Sequence, residues 1–188
     1  MTSINTIFND ENTFGFIWET TSFSADYCFG KIQILIGNDI YPKICPKDQY
    51  TISLVFDSLK WSFKEPYFPG GSDGKDFGEK EFILKKYNES KIRNVFSIET
   101  SEMGMKVGDN HDYSLDSLIL EMGYSGNQER LFYSFDYGNN FREIRFPKGT
   151  VEAVIEALPT YEELLDDRLY KERLARVLEN TSIKYSHE

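Results

Sequence analysis

Hydrophobic and polar positions alternate along most of the first 146 residues. Phe14, Phe16 and Trp18 alternate with Gly15, Ile17 and Glu19, and Cys28, Ile32, Ile34 and Ile36 share one side of the run from Tyr27 to Ile36. A period of two marks a strand with one buried face. Gly37-Asn38-Asp39 then supplies a turn, with Ile40-Tyr41 as a short return before Pro42. Residues 51–63 fit two templates. Ile52, Leu54 and Phe56 suit a strand, whereas Ile52, Val55, Phe56, Leu59 and Phe63 suit a helix over a longer span, so the pattern predicts a helix there. Pro66, Pro69, Gly70, Gly71, Gly74 and Gly78 require a loop after it.

Strand patterning then resumes. Phe82 and Leu84 open one segment, and Ile92, Phe96 and Ile98 line another. Leu118, Leu120, Met122 and Tyr124 form the cleanest alternation, and residues 130–146 read as a hairpin around Gly138-Asn139-Asn140. Beyond Pro147-Lys148-Gly149 the period changes. Thr150 to Leu158 reads as a short helix, Pro159 breaks it, and Thr160 with Glu163 forms a capping box that starts another. The apolar stripe slips in this last helix: Tyr161, Leu165 and Leu169 share one face, and Tyr170, Leu174, Val177 and Leu178 another. Such a helix bends or touches two bodies. The expected class is α+β: a mainly antiparallel sheet of about six to seven strands, one internal helix and a helical C-terminal end. The expected division is a β-rich part over 1–149, with its helix near 51–63, and C-terminal helices over 150–188 packed on or extending from the same domain.

Composition narrows the function. The 188 residues are 40% hydrophobic and 15% aromatic, ample for a core. No run of about 18 apolar residues exists to span a membrane, and the first residues lack a basic segment followed by an apolar one. Cys28 and Cys45 are too few for a disulfide framework, and Cys28 on an apolar face behaves as a small hydrophobe. A reducing cytoplasm is the expected compartment. With 31 Asp and Glu against 21 Lys and Arg, the formal charge is -10. That balance argues against nucleic acid and anionic membrane as partners and is compatible with a basic protein.

Candidate chemistry is thin. Gly70-Gly71-Ser72-Asp73-Gly74-Lys75-Asp76 fails as a phosphate loop, because Pro69 stands five before Gly74 and Asp76 where Ser or Thr must meet magnesium. Gly123-Tyr124-Ser125-Gly126 brings its second glycine one residue too early for a nucleophile elbow and reads as a hairpin turn. Asp109, Asn110, His111 and Asp112 lack the register of a calcium loop, and zinc wants more His or Cys than the chain offers. No catalytic residue, cofactor or metal is expected. The clustering of acids is the better signal. From Ser97 to Glu129 seven acids face one base, Lys106, and tyrosines lie among them. Glu99, Glu102, Asp109, Asp112, Tyr113, Asp116, Glu121 and Tyr124 are therefore the candidate contacts for a basic protein surface.

The order of motifs adds a resemblance. Phe14-Gly15-Phe16-Ile17-Trp18, then Phe29-Gly30-Lys31-Ile32-Gln33-Ile34-Leu35-Ile36-Gly37-Asn38-Asp39-Ile40-Tyr41-Pro42, then Thr51-Ile52-Ser53-Leu54, resembles small bacterial immunity proteins of contact-dependent inhibition and polymorphic toxin systems. Phe146-Pro147-Lys148-Gly149 before a short helix is further support. The resemblance implies a non-enzymatic cytoplasmic protein that binds a cognate toxin domain and blocks it; no functional residue carries over by position. Two other readings stand beside it: a phage or secretion-system protein that self-associates through its C-terminal helix, and a small carboxylate-dependent hydrolase.

Overall fold

The computed structural model describes residues 4–43, 50–64, 96–98, 118–125, 127–179 and 181–187. The first sheet is built from β1 (Ile4–Asn9), β2 (Phe14–Phe23), β3 (Cys28–Ile36) and β4 (Asp39–Tyr41), with β9 (Ile183–His187) added at the far edge, in the order β4-β3-β2-β1-β9. The second holds β5 (Phe96–Ile98), β6 (Ile119–Ser125), β7 (Gln128–Ser134) and β8 (Arg142–Pro147), in that order. Every neighbouring pair is antiparallel.

The α+β class stands. The described strands number nine in two sheets, against the six to seven expected in one. The difference comes from β1 and β9, whose few apolar residues give weak alternation until each has the other beside it. The helical reading of the C-terminus holds as far as Leu178 and fails for residues 183–187, which are strand. The strand opened by Phe82 and Leu84 lies outside the described residues.

The predicted alternation becomes burial. Phe14, Phe16 and Trp18 of β2 and Ile32, Ile34 and Ile36 of β3 are at most 2% exposed, on one face of the first sheet. Two glycines let the backbones meet there. A Cβ on Gly15 would lie 2.2 Å from the Ile7 carbonyl oxygen, and one on Gly30 would lie 2.2 Å from that of Glu19. Gly30 also exchanges backbone hydrogen bonds with Tyr50, at 2.9 and 2.6 Å, which delivers the chain to the next helix.

That helix, α1 (Ile52–Trp61), settles the ambiguity of residues 51–63. Ile52, Val55, Phe56 and Leu59 are fully buried at helical spacing, while Trp61 is 59% exposed. Phe56 meets Trp18 edge to face with centroids 5.6 Å apart. The sheets are joined by Phe14 against Phe146 (5.9 Å) and by Tyr41 stacked on Phe135 (4.7 Å). Asp39 adds a polar link, accepting from Arg142 Nη1 at 2.5 Å and from the Tyr133 hydroxyl at 3.4 Å.

The helical layer continues with α2 (Thr150–Glu156), α3 (Tyr161–Leu165) and α4 (Asp167–Leu178). Glu129 of β7 reaches under the start of α2, its two carboxylate oxygens accepting from Gly149 N–H at 2.6 Å and Val151 N–H at 2.8 Å. The Thr160–Glu163 capping box forms as expected. The slip of the apolar stripe also has a cause: the helix is two helices. Asp166 leaves helical geometry and caps α4 by accepting from Arg168 N–H. Tyr170 and Leu174 then enter the common core, and Leu165 and Leu169 stay 52% and 42% exposed. No described helix is long and apolar enough to cross a membrane.

Candidate functional site

Pro159 and its neighbours end α2 with three carbonyls that no helical N–H can reach. Side chains from elsewhere fill the vacancy. Arg173 of α4 donates to the carbonyls of Glu156 (3.2 Å), Ala157 (3.2 Å) and Leu158 (2.8 Å). Lys60 of α1 donates to Leu158 at 2.7 Å and the Tyr170 hydroxyl to Ala157 at 3.1 Å. Cations at a helix C-terminus also oppose its partial negative charge. Burial, and then the neighbouring Arg173, hold the Lys60 ammonium below the ordinary lysine range. Burial pushes the Glu163 carboxyl upward, but the Arg173 fork and the Thr160 N–H outweigh it and leave Glu163 below its usual value.

This junction separates two clefts. The first, about 520 Å³, opens between α1 and α2–α4, with Lys60 and Arg173 facing Asp57 and Glu156 and with Trp61 among its lining residues. Its charges are of both signs. Burial raises the Asp57 carboxyl; Lys60 opposes that shift, and Glu162 adds to it. The second cleft, about 350 Å³, lies between the first sheet and α3–α4. Trp18, Phe23, Leu164 and Tyr170 form its apolar wall, and Glu163 and Asp167 its acidic one. Asn5, a further lining residue, is fixed by β9: its Oδ1 accepts from the Tyr185 hydroxyl at 2.9 Å and lies 2.7 Å from His187 Nδ1. Sequence patterning did not reveal either cleft, because each joins residues more than a hundred positions apart.

Of the acidic contacts expected from the sequence, Glu99, Glu102, Asp109, Asp112, Tyr113 and Asp116 lie outside the described residues. Glu121 and Tyr124 fall on β6. Glu121 is 1% exposed and accepts from Ser97 Oγ at 3.4 Å, so it is an interior carboxylate. Glu129, in the same acidic stretch, is fully buried as the cap of α2. Burial lifts its carboxyl to about 7 against the pull of the Val151 and Gly149 N–H groups. Cys28 is buried, and burial lifts its thiol to about 11. Among the described residues no group of three or more His, Cys, Asp and Glu is placed to hold a metal ion.

The Phe-Gly-Phe and Phe-Gly-Lys strands, the second sheet and α2 fall within a stretch that matches a bacterial immunity protein family. The family model of Immunity protein 42 matches residues 6–161, from within β1 to the first residue of α3, and the chain belongs to that family. The arrangement of α4 and β9 lies beyond the matched span. No curated protein and no solved structure matches the chain.

Proposed function

We propose that this protein neutralises a cognate bacterial toxin domain by stoichiometric binding, without making or breaking a bond. The observation that carries the reading is membership of the immunity family over residues 6–161. The formal charge of -10 supports a basic partner, because complementary fields raise the rate of encounter and suppress wrong pairings. A toxin acting on nucleic acid would present such a basic groove. The cytoplasm, where a toxin of contact-dependent inhibition or of a polymorphic system would meet its target, is the compartment proposed with it.

The test is to search the genes beside this one for a toxin domain and to co-express the two. Growth should be restored, and the purified pair should elute as one stoichiometric complex whose association slows as salt rises. Continued toxicity together with no complex at micromolar concentrations would overturn the reading.

A further inference from the structure

We propose that the face of the first sheet turned away from the core is a contact between two copies of this chain. On that side the register lines up Ile40, Leu35, Gly15 and Phe8 in one row across four strands. A Cβ on Gly15 would lie 2.2 Å from Phe8 Cδ1, so the Phe8 ring closes the gap at the glycine and the row is apolar from end to end. Ile17 and Ile4 extend the apolar surface further along β2 and β1. Ile40 and Ile4 are 40% and 49% exposed, and Phe8, Ile17 and Leu35 are half-buried. None of these five belongs to the common core or packs against it. The opposite face takes the helices and the second sheet, through Trp18 on Phe56 and Tyr170 and Phe14 on Phe146.

Charge selects the occupant. The chain carries a formal charge of -10, yet these four strands turn one acid and one base to this side, Glu19 and Lys31, and the two pair with each other at 3.5 Å. Gln33 is likewise engaged, donating to the Pro42 carbonyl at 2.8 Å. At the margin, Lys184 of β9 donates to the Asp10 carbonyl. A basic surface finds no unpaired acid on these strands. A second copy meets the same apolar ground and brings no unpaired charge into the middle of the contact.

The face also holds both halves of a fit. Ile4, Ile17, Glu19, Lys31 and Gln33 line a hollow of about 70 Å³, room for the end of one aliphatic side chain. Ile40 stands on β4 beside Leu35, further along β3 than Lys31 and Gln33. One two-fold axis lying in the plane of contact exchanges the two positions, so both Ile40 side chains can seat together, the self-complementarity of a closed dimer. With strands about 4.8 Å apart and about 3.3 Å of rise per residue, the face covers roughly 400–600 Å² per copy. Standard specific interfaces bury about 800 Å² per partner, so this dimer is weak, with a dissociation constant in the micromolar range.

Sedimentation of the full chain from about 5 to about 200 μM should show the mass rising from that of one chain towards that of two. Higher salt should strengthen the association, because the contact is apolar and screening relieves the repulsion between two chains of charge -10. Ile40→Glu and Ile4→Lys each place a charge on the face at an already exposed position, and each should weaken the dimer at least tenfold. Leu169→Glu, at an exposed apolar position of α4, is the control and should stay within twofold. Wild-type chain that stays a monomer at the highest concentration overturns the proposal with no variant needed, and so does association that weakens as salt rises. A dimer that survives both face variants overturns it too, and one that Leu169→Glu alone dissolves places the contact on α4. If the wild type is a monomer and Ile40→Glu weakens its binding to a toxin domain found beside this gene, the face belongs to the toxin; the dimer falls and the immunity reading stands.

Discussion

Arg173 holds Glu163 with two parallel donors, Nε to Oε1 at 2.5 Å and Nη2 to Oε2 at 2.9 Å. The same guanidinium caps the carbonyl end of α2 and lies over the Tyr170 ring, 5.5 Å from its centroid. One side chain thus fastens α2, α3 and α4 to one another. Arg173→Ala should cost about 2–4 kcal/mol, since it strips a part-buried carboxylate of its partner and leaves helix carbonyls unmet. Arg173→Lys should recover less than half of that, because an ammonium cannot reproduce the planar fork. Urea denaturation measures both. A loss under about 0.5 kcal/mol for the alanine variant would reduce the pair to a solvated surface contact.

Glu129 makes stability depend on pH in a direction unusual for a carboxylate. Its folded value of about 7 lies above the reference 4.5, so the native state binds the proton more tightly than the unfolded chain. The contribution is complete below about pH 4.5 and disappears as pH rises through about 7, so this group lowers stability across that interval. Glu129→Gln should flatten the fall between pH 5 and about 7 relative to wild type. The measurement is a pair of denaturation series over that range; parallel slopes would show that the N–H groups of α2 hold Glu129 ionised throughout.

The two faces of α1 should answer differently to truncation. Phe56 is fully buried against Trp18, so Phe56→Ala should cost about 3–5 kcal/mol through lost burial and the cavity left behind. Trp61 is 59% exposed, and Trp61→Ala should change stability by about 0.5 kcal/mol or less. Equal losses at the two positions would contradict the helical placement of residues 52–61.

Much of this architecture is written in local pattern. The alternation in β2 and β3, the helical spacing of Ile52, Val55, Phe56 and Leu59, and the Thr160–Glu163 box all rest on interactions within a few residues, and all appear as expected. What escaped depends on partners distant in sequence. Ile183 and Tyr185 supply only two apolar positions, too few to announce a strand without β1 beside them. The break between α3 and α4 rests on Asp166, which leaves helical geometry and caps α4 with its side chain, and the slipped apolar stripe alone does not place it. Glu121 and Glu129 read as surface acids because charge is visible in a sequence and burial is not. The second cleft joins Asn5 to His187, which no window of neighbouring residues can show.

β9 offers the sharpest test of whether the frame within residues 6–161 stands by itself. The strand pairs with β1 from Asn9↔Ile183 to Asn5↔His187, buries Ile183 to 7% exposure, and sets the Tyr185 ring 5.4 Å from that of Tyr170. The Lys184 ammonium also donates to the Asp10 carbonyl. Ending the chain after Thr181 removes the ladder and the Ile183 contact together, and should cost at least about 3 kcal/mol. It also leaves β1 as a bare edge, so the truncated protein should scatter light at concentrations where the intact chain stays clear. Ile183→Ala separates the two effects, since it keeps the backbone in place and removes only the apolar contact; it should destabilise with less aggregation. An unchanged urea midpoint for the truncated chain would mean that the first sheet is complete with four strands and that β9 serves only to shape the cleft beside Asn5.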